Sequence, residues 1–241
     1  MKIRYVTNFL DRKIGLGGAH FKLWHFIFLI LAISTILFIY SDPWQPESIR
    51  KLQEKEVREY EGQNLSSIAD LKETSISGTQ YIDIKDYKLE ITGLVNTPKA
   101  YTYQEVLNFP KYSKVVELNC VTGWRAKILW EGFLIKDILE EASVKPESKA
   151  VIFYASDGFT TSLPLDFLID NDIILAYKIN DVVLPPERGF PFQLVSENKW
   201  GYKWIKWLTK IELSDDIDYK GTYKGVGYSH DADITGPKLE R

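Results

Sequence analysis

The sequence predicts an α+β domain of mixed sheets and short helices, preceded by one apolar helix long enough to cross a membrane. Three observations predict it. Short β-rich runs recur between residues 87 and 211, and the helical stretches among them are brief. The two kinds of segment do not alternate regularly, as a doubly wound parallel sheet would require. An uninterrupted apolar run stands alone near the N-terminus.

That run, residues 23–40 (LWHFIFLILAISTILFIY), has eighteen positions without a formal charge. As a helix it spans about 27 Å, close to the hydrocarbon thickness of a bilayer. Trp24 and Tyr40 stand near its ends, where aromatic side chains favour the membrane interface. A buried core helix is the alternative reading. No small-x-small cleavage site precedes Ser41, so the segment reads as a retained anchor. Lys2, Arg4, Arg12, Lys13 and Lys22 precede it, while Arg50, Lys51, Lys55 and Arg58 follow further from the boundary. This bias favours a cytoplasmic N-terminus (residues 1–22) and an extracytoplasmic domain. Against that, Arg12-Lys13 is the only basic pair before the apolar run, so a twin-arginine export signal is not evident. Residues 41–63 are charged and helix-prone without a sustained apolar face, and read as a juxtamembrane stalk. The globular domain is expected over 64–241.

Within that domain, 87–94 (YKLEITGL) alternates as a strand and closes on Gly93, with Pro98 soon after. Residues 103–109 read as a short helix, and 115–118 as a strand running into Cys120. Residues 133–142 have helical spacing, 151–154 read as a strand, and 165–170 as a helical turn. Strands over 175–179, 192–196 and 204–211 complete the domain.

Composition narrows the function classes. Hydrophobic content of 45% with 14% aromatics supports a packed core, and a net charge of -3 gives no electrostatic case for nucleic acid. A single cysteine excludes an intrachain disulfide, a multi-cysteine zinc site and a cysteine-ligated iron–sulfur cluster. Gly15-Leu16-Gly17-Gly18 is no dinucleotide fingerprint, since no strand precedes it. Cys120 sits where a β-rich run gives way to Val121-Thr122-Gly123. A thiolate fixed at a strand end and open to a cleft suits a soft metal, whereas a lone cysteine is ordinarily a small buried hydrophobe. Both readings stand at this level.

The stretches KLEITGLVNTP, VVELNCVTGW and ILWEGFLIKDIL carry a further signal. So do YASDGFTTSLPLDFL, DIILAYKINDVVLPPERGFPFQLV and KWGYKWIKWLTKIEL. In order and spacing, over 87–213, they resemble the sulfite oxidase-type molybdopterin oxidoreductases. The tail GTYKGVGYSHDADI is similar to that family's terminal segment. The resemblance implies a molybdenum (or tungsten) ion held by a pterin dithiolene and one protein cysteine, here Cys120. It also implies the monophosphate form of molybdopterin. Lys203 matches a lysine that approaches the phosphate, with Gly201 and Tyr202 beside it as backbone donors; a solvated strand lysine is the other reading of Lys203. Ala155 and Ser156 match positions that touch the pterin. Ser75 and Gly78, within 74–78 (TSISG), match a loop laid over it, although any linker has that composition.

Two departures concern the phosphate. Arg188 stands where many relatives carry His or Asn, and Gln193 where they carry Arg. Arg125 lies five residues after Cys120, where true sulfite oxidases place an arginine that faces the oxyanion; a surface loop arginine is the alternative. The reaction implied is two-electron oxygen-atom transfer on a small oxyanion or an S- or N-oxide. His20 and His25 lie beside or within the apolar run and His230 in the tail, and no cytochrome attachment motif occurs. Electrons are therefore expected to pass to or from a separate haem or quinone-linked membrane partner. A membrane-tethered binding domain that lost its cofactor is the competing class, for which Gln193 is the motive. A thiol enzyme lacks a histidine near Cys120 in any recognisable motif.

Overall fold

Within the domain, apolar runs such as ILAYKI (Ile174–Ile179) become sheet strands. In the computed structural model, residues 29–30 and 45–240 are described. Helix α1 (Glu47–Gln53) precedes a two-stranded hairpin, β1 (Glu59–Tyr60) and β2 (Gln63–Asn64). Strands β3 (Lys88–Gly93) and β4 (Lys99–Thr102) lead to α2 (Tyr103–Val106). Then come β5 (Tyr112–Asn119), β6 (Arg125–Leu134), α3 (Ile135–Ala142), β7 (Ala150–Ala155) and β8 (Thr160–Pro164). Helix α4 (Leu165–Asp170), β9 (Ile174–Ile179), β10 (Val182–Val183), β11 (Gln193–Val195), β12 (Leu208–Ser214) and α5 (Gly221–Lys224) complete the order.

Two five-stranded sheets result. One runs β10–β9–β6–β5, with β11 also paired to β9, and the other runs β4–β3–β12–β7–β8. Neighbours are antiparallel except β3 and β12. This is the mixed, short-helix α+β architecture expected from the sequence. In β9, Ile174 and Ala176 join one hydrophobic cluster and Leu175 and Tyr177 the other. That sheet is covered on both faces, which is why ILAYKI reads as a near-continuous apolar run. Strands β6 and β9 approach so closely at the bulge beside Glu131 that a Cβ on Gly132 would lie 2.2 Å from the Leu175 carbonyl oxygen. Glycine alone fits there.

Phe133, expected to begin a helix, lies within β6 instead, because it pairs with Leu175 across β6 and β9. Its ring is fully buried, stacked on Tyr177 at 5.3 Å and edge-on to Phe192 at 6.2 Å. Phe133→Ala is expected to cost about 3–5 kcal/mol in denaturant unfolding.

The expected stalk is partly core. The compact unit begins at Glu47, and Ile49 is fully buried against Ile68, Leu71 and Trp130. Two apolar positions, Ile49 and Leu52, suffice to dock α1. A buried carboxylate does the rest: Glu56 accepts hydrogen bonds from the Ser67 hydroxyl (2.6 Å), the Ile68 N–H (2.8 Å) and the Asn180 amide (2.9 Å). Such a contact leaves no apolar periodicity to read. Among the described residues no helix is long and apolar enough to cross a membrane. The expected anchor, 23–40, lies outside them except for residues 29 and 30.

Candidate active site

Cys120 occupies the connection between β5 and β6, where the strand ladder ends at the Asn119–Arg125 pair. Its N–H donates to the Trp124 carbonyl (2.9 Å), and the Gly123 N–H donates back to the Cys120 carbonyl (2.9 Å). Gly123 closes the turn at φ +99°, a conformation that favours glycine. The thiol is half-buried, with Sγ 3.2 Å from the Thr122 hydroxyl oxygen. Behind it packs the 3-10 turn Gly201–Lys203. A Cβ on Gly201 would stand 3.4 Å from the Asn119 carbonyl oxygen and 3.7 Å from the Cys120 Cα. Gly201 thus permits close approach of chain to chain, directly behind the cysteine.

The thiol opens on a cleft with about 970 Å³ of empty space, its open mouth included. Lys72, Arg188 and Lys206 are the cations that line it. Arg188 is 4% exposed; its Nε donates to the Ile68 carbonyl (3.1 Å). Burial pushes its guanidinium down to about 10, opposed by Glu187 and Glu73, so it remains a cation at neutral pH. The Lys206 side chain is 14% exposed; its ammonium reaches Glu73 at 3.1 Å and lies 4.2 Å over the Trp207 ring. Burial pushes that ammonium down, Glu73 opposes, and neighbouring Arg188 adds to the depression. Two largely buried cations therefore share one side of the cleft, and among the described residues one ion pair, Lys206 to Glu73, lies between them. Such an arrangement suits a multiply charged anion.

Trp207 holds this geometry under strain. Its φ of +51° is rare for a bulky side chain. The indole N–H donates to the Pro186 carbonyl (2.7 Å), and its backbone N–H donates to the Gly189 carbonyl (3.3 Å). The remainder of the lining is rich in aromatics: Trp124, Phe159, Tyr202, Tyr223 and Tyr228. Tyr223 packs 5.3 Å from Phe159 and 5.4 Å from Tyr228, and Tyr202 lies 5.1 Å from Tyr228. Burial raises the Tyr202 and Tyr223 hydroxyls above their ordinary range, so both stay protonated.

The cleft gathers Ser75, Cys120, Arg188, Gln193, Gly201 and Tyr202 from the residues singled out in the sequence. It does not gather the others. The Lys203 ammonium donates to the Ser162 carbonyl (2.8 Å), behind the cleft wall. Ala155 is core, and the exposed Ser156 bonds through its N–H to the Trp207 carbonyl (3.0 Å). Gly78 lies outside the lining, its carbonyl accepting from Gln80. Arg125 opens β6 on its exposed face, opposite Ala126 and Ile128, and does not line the cleft. Sequence reasoning misses Lys206, Trp207, Tyr223 and Tyr228. Lys206 is visible in KWGYKWIK, but only the 3-10 turn and the left-handed Trp207 decide that it, and not Lys203, faces the cleft.

Among the described residues, no cluster of three or more His, Cys, Asp or Glu side chains could hold a metal ion. A metal beside Cys120 must bring its own further ligands, as a metal–dithiolene group does.

The model of the oxidoreductase molybdopterin binding domain family matches residues 76–222. The chain belongs to this family and is an oxidoreductase domain. It is 37% identical over 149 residues to the uncharacterized oxidoreductase YuiH of Bacillus subtilis, covering 61% of this chain and 75% of that one. It is 30% identical to the mitochondrial sulfite oxidase of Drosophila melanogaster, covering 63% of this chain but 32% of that enzyme. Among solved structures, the sulfane dehydrogenase SoxCD of Paracoccus pantotrophus aligns with TM-score 0.56 and 27% identity, over 61% of this chain and 42% of that one. The resemblance to the sulfite oxidase-type enzymes is thereby borne out, and a molybdenum–molybdopterin cofactor is implied.

Proposed function

We propose that this domain performs two-electron oxygen-atom transfer, with Cys120 as the protein's thiolate ligand to molybdenum and Arg188 and Lys206 as the clamp for a pterin monophosphate. The observation that carries the reading is that one cleft unites the chain's only thiol with two largely buried cations. When bound, the cofactor supplies the redox couple and the exchangeable oxygen ligand. The protein's residues supply the rest. The β5–β6 turn fixes Cys120, the strained Trp207 aims the neighbouring Lys206, and Ser75 and Gln193 offer neutral polar groups along the same walls.

The substrate side follows from what is left. With the cations engaged by phosphate, the wall formed by Trp124, Phe159, Tyr223 and Tyr228 presents rings, and burial keeps the Tyr223 hydroxyl protonated. Protonated tyrosines donate hydrogen bonds to an uncharged oxide, and ring edges favour sulfur. This favours an S- or N-oxide over an oxyanion. Arg125, facing outward, gives the oxyanion reading little support. A separate haem or quinone-linked protein exchanges the electrons, in keeping with a sequence that carries no cytochrome attachment motif. Residues 23–40 tether the domain to a membrane, with the cleft on the extracytoplasmic side.

The test is holoenzyme assayed in both directions, reduction of a panel of neutral sulfoxides and N-oxides against oxidation of sulfite, in wild type and Arg125→Ala. Turnover of a neutral oxide, with KM unchanged within about twofold in the variant, is expected, as for a surface substitution. Sulfite oxidation as the dominant activity, with KM rising steeply in Arg125→Ala, would overturn the substrate reading.

A further inference from the structure

Thr122 stands at the third position of the Cys120–Gly123 turn, lining the same cleft, with its hydroxyl oxygen 3.2 Å from the Cys120 sulfur. In the free thiol either atom can be the donor. Metal ligation removes that ambiguity, because a coordinated thiolate carries no proton and can only accept. The hydroxyl proton of Thr122 then points at the sulfur. The turn holds it there: the Cys120 N–H to Trp124 and the Gly123 N–H to Cys120 bonds, both 2.9 Å, fix the residues on either side of Thr122.

We infer that Thr122 is a positioning residue that donates a hydrogen bond to the Cys120 thiolate and thereby raises the reduction potential of the bound metal. The inference rests on Cys120 being the metal ligand. A hydrogen bond to sulfur withdraws electron density that the thiolate otherwise gives to the metal. The electron-rich reduced state is stabilised more than the oxidised one, the same lever by which hydrogen bonds to sulfur tune other metal–thiolate centres. No proton is transferred and no bond to the metal changes.

The experiment compares holoenzyme of wild type, Thr122→Val, Thr122→Ala and Thr122→Ser. Three quantities are read: metal per protein, the reduction potential of the metal by spectroscopically monitored titration, and the energy of the thiolate-to-metal charge-transfer band. The two hydroxyl-free variants are expected to keep their molybdenum and to shift the equilibrium towards the oxidised metal by tenfold or more, about 30 mV for a two-electron couple. Their charge-transfer band moves to lower energy, and Thr122→Ser restores both quantities. A purely structural role would move neither in that paired way. Metal-loaded Thr122→Val and Thr122→Ala with wild-type potential and band would overturn the inference, as would a serine variant that behaves like valine. A Cys120→Ser control separates the two levels: if it retains the wild-type charge-transfer band, the ligand assignment itself has failed and the inference falls with it.

Discussion

Protein carrying Arg188→Met together with Lys206→Met is expected to fold and to lose its pterin. A charge-assisted hydrogen bond contributes about 1.5–3 kcal/mol, so each single change should weaken cofactor retention by roughly 10–100-fold. The double variant should lose roughly 100–10,000-fold if the two act independently. Fold stability should respond far less. Arg188→Met leaves the Ile68 carbonyl without the 3.1 Å bond from Nε, a loss of about 1–3 kcal/mol. Removing a buried guanidinium that, among the described residues, has no ion pair within 4 Å offsets part of that loss. Lys206→Met keeps the aliphatic stem packed near the Trp207 ring. The measurement is pterin per protein after purification, alongside denaturant unfolding. Full pterin in a folded double variant would place the phosphate elsewhere, with Lys203 or Lys72 the next groups to test.

Cys120→Ser should have the opposite profile. Disturbing an outer-shell partner of a metal typically costs about 10–100-fold in activity, and removal of the ligand itself should exceed that. The pterin should remain, because its phosphate contacts are untouched. Serine also keeps the turn, since the bonds to Trp124 and from Gly123 are made by backbone groups. Loss of activity with retained pterin separates a ligand role from a packing role. Unchanged activity would return Cys120 to the class of small buried hydrophobes.

Much of this arrangement is legible in the amino-acid sequence. The strand β9 declares itself by its apolar run, and Cys120 by its place at the end of a β-rich segment. The ordered resemblance from 87 to 213 falls within the family match over 76–222. What is not legible depends on where side chains turn. Lys203 and Lys206 lie three residues apart, and a 3-10 turn followed by a left-handed tryptophan sends them to opposite sides of one wall. Arg125 is close to Cys120 in sequence, yet strand alternation puts it on the exposed face of β6. The docked helix α1 reads as a stalk because its anchorage is a polar hub at Glu56 with two apolar contacts, a pattern without period. Tyr223 and Tyr228 come to the cleft from the tail, through packing that no local motif announces.

Gln193 also takes on a different meaning. Its neutral amide, where many relatives carry arginine, is the motive for reading a domain that has lost its cofactor. Arg188 and Lys206 nevertheless place two largely buried cations on the same cleft, one from the turn before β11 and one from the entry to β12.

The most direct test of the central claim is X-ray absorption at the molybdenum edge of purified holoenzyme beside Cys120→Ser loaded with the same pterin. The shell of sulfur neighbours should lose one sulfur in the variant and gain a light scatterer, with the dithiolene sulfurs unchanged. An identical sulfur shell in the two proteins would show that Cys120 does not hold the metal.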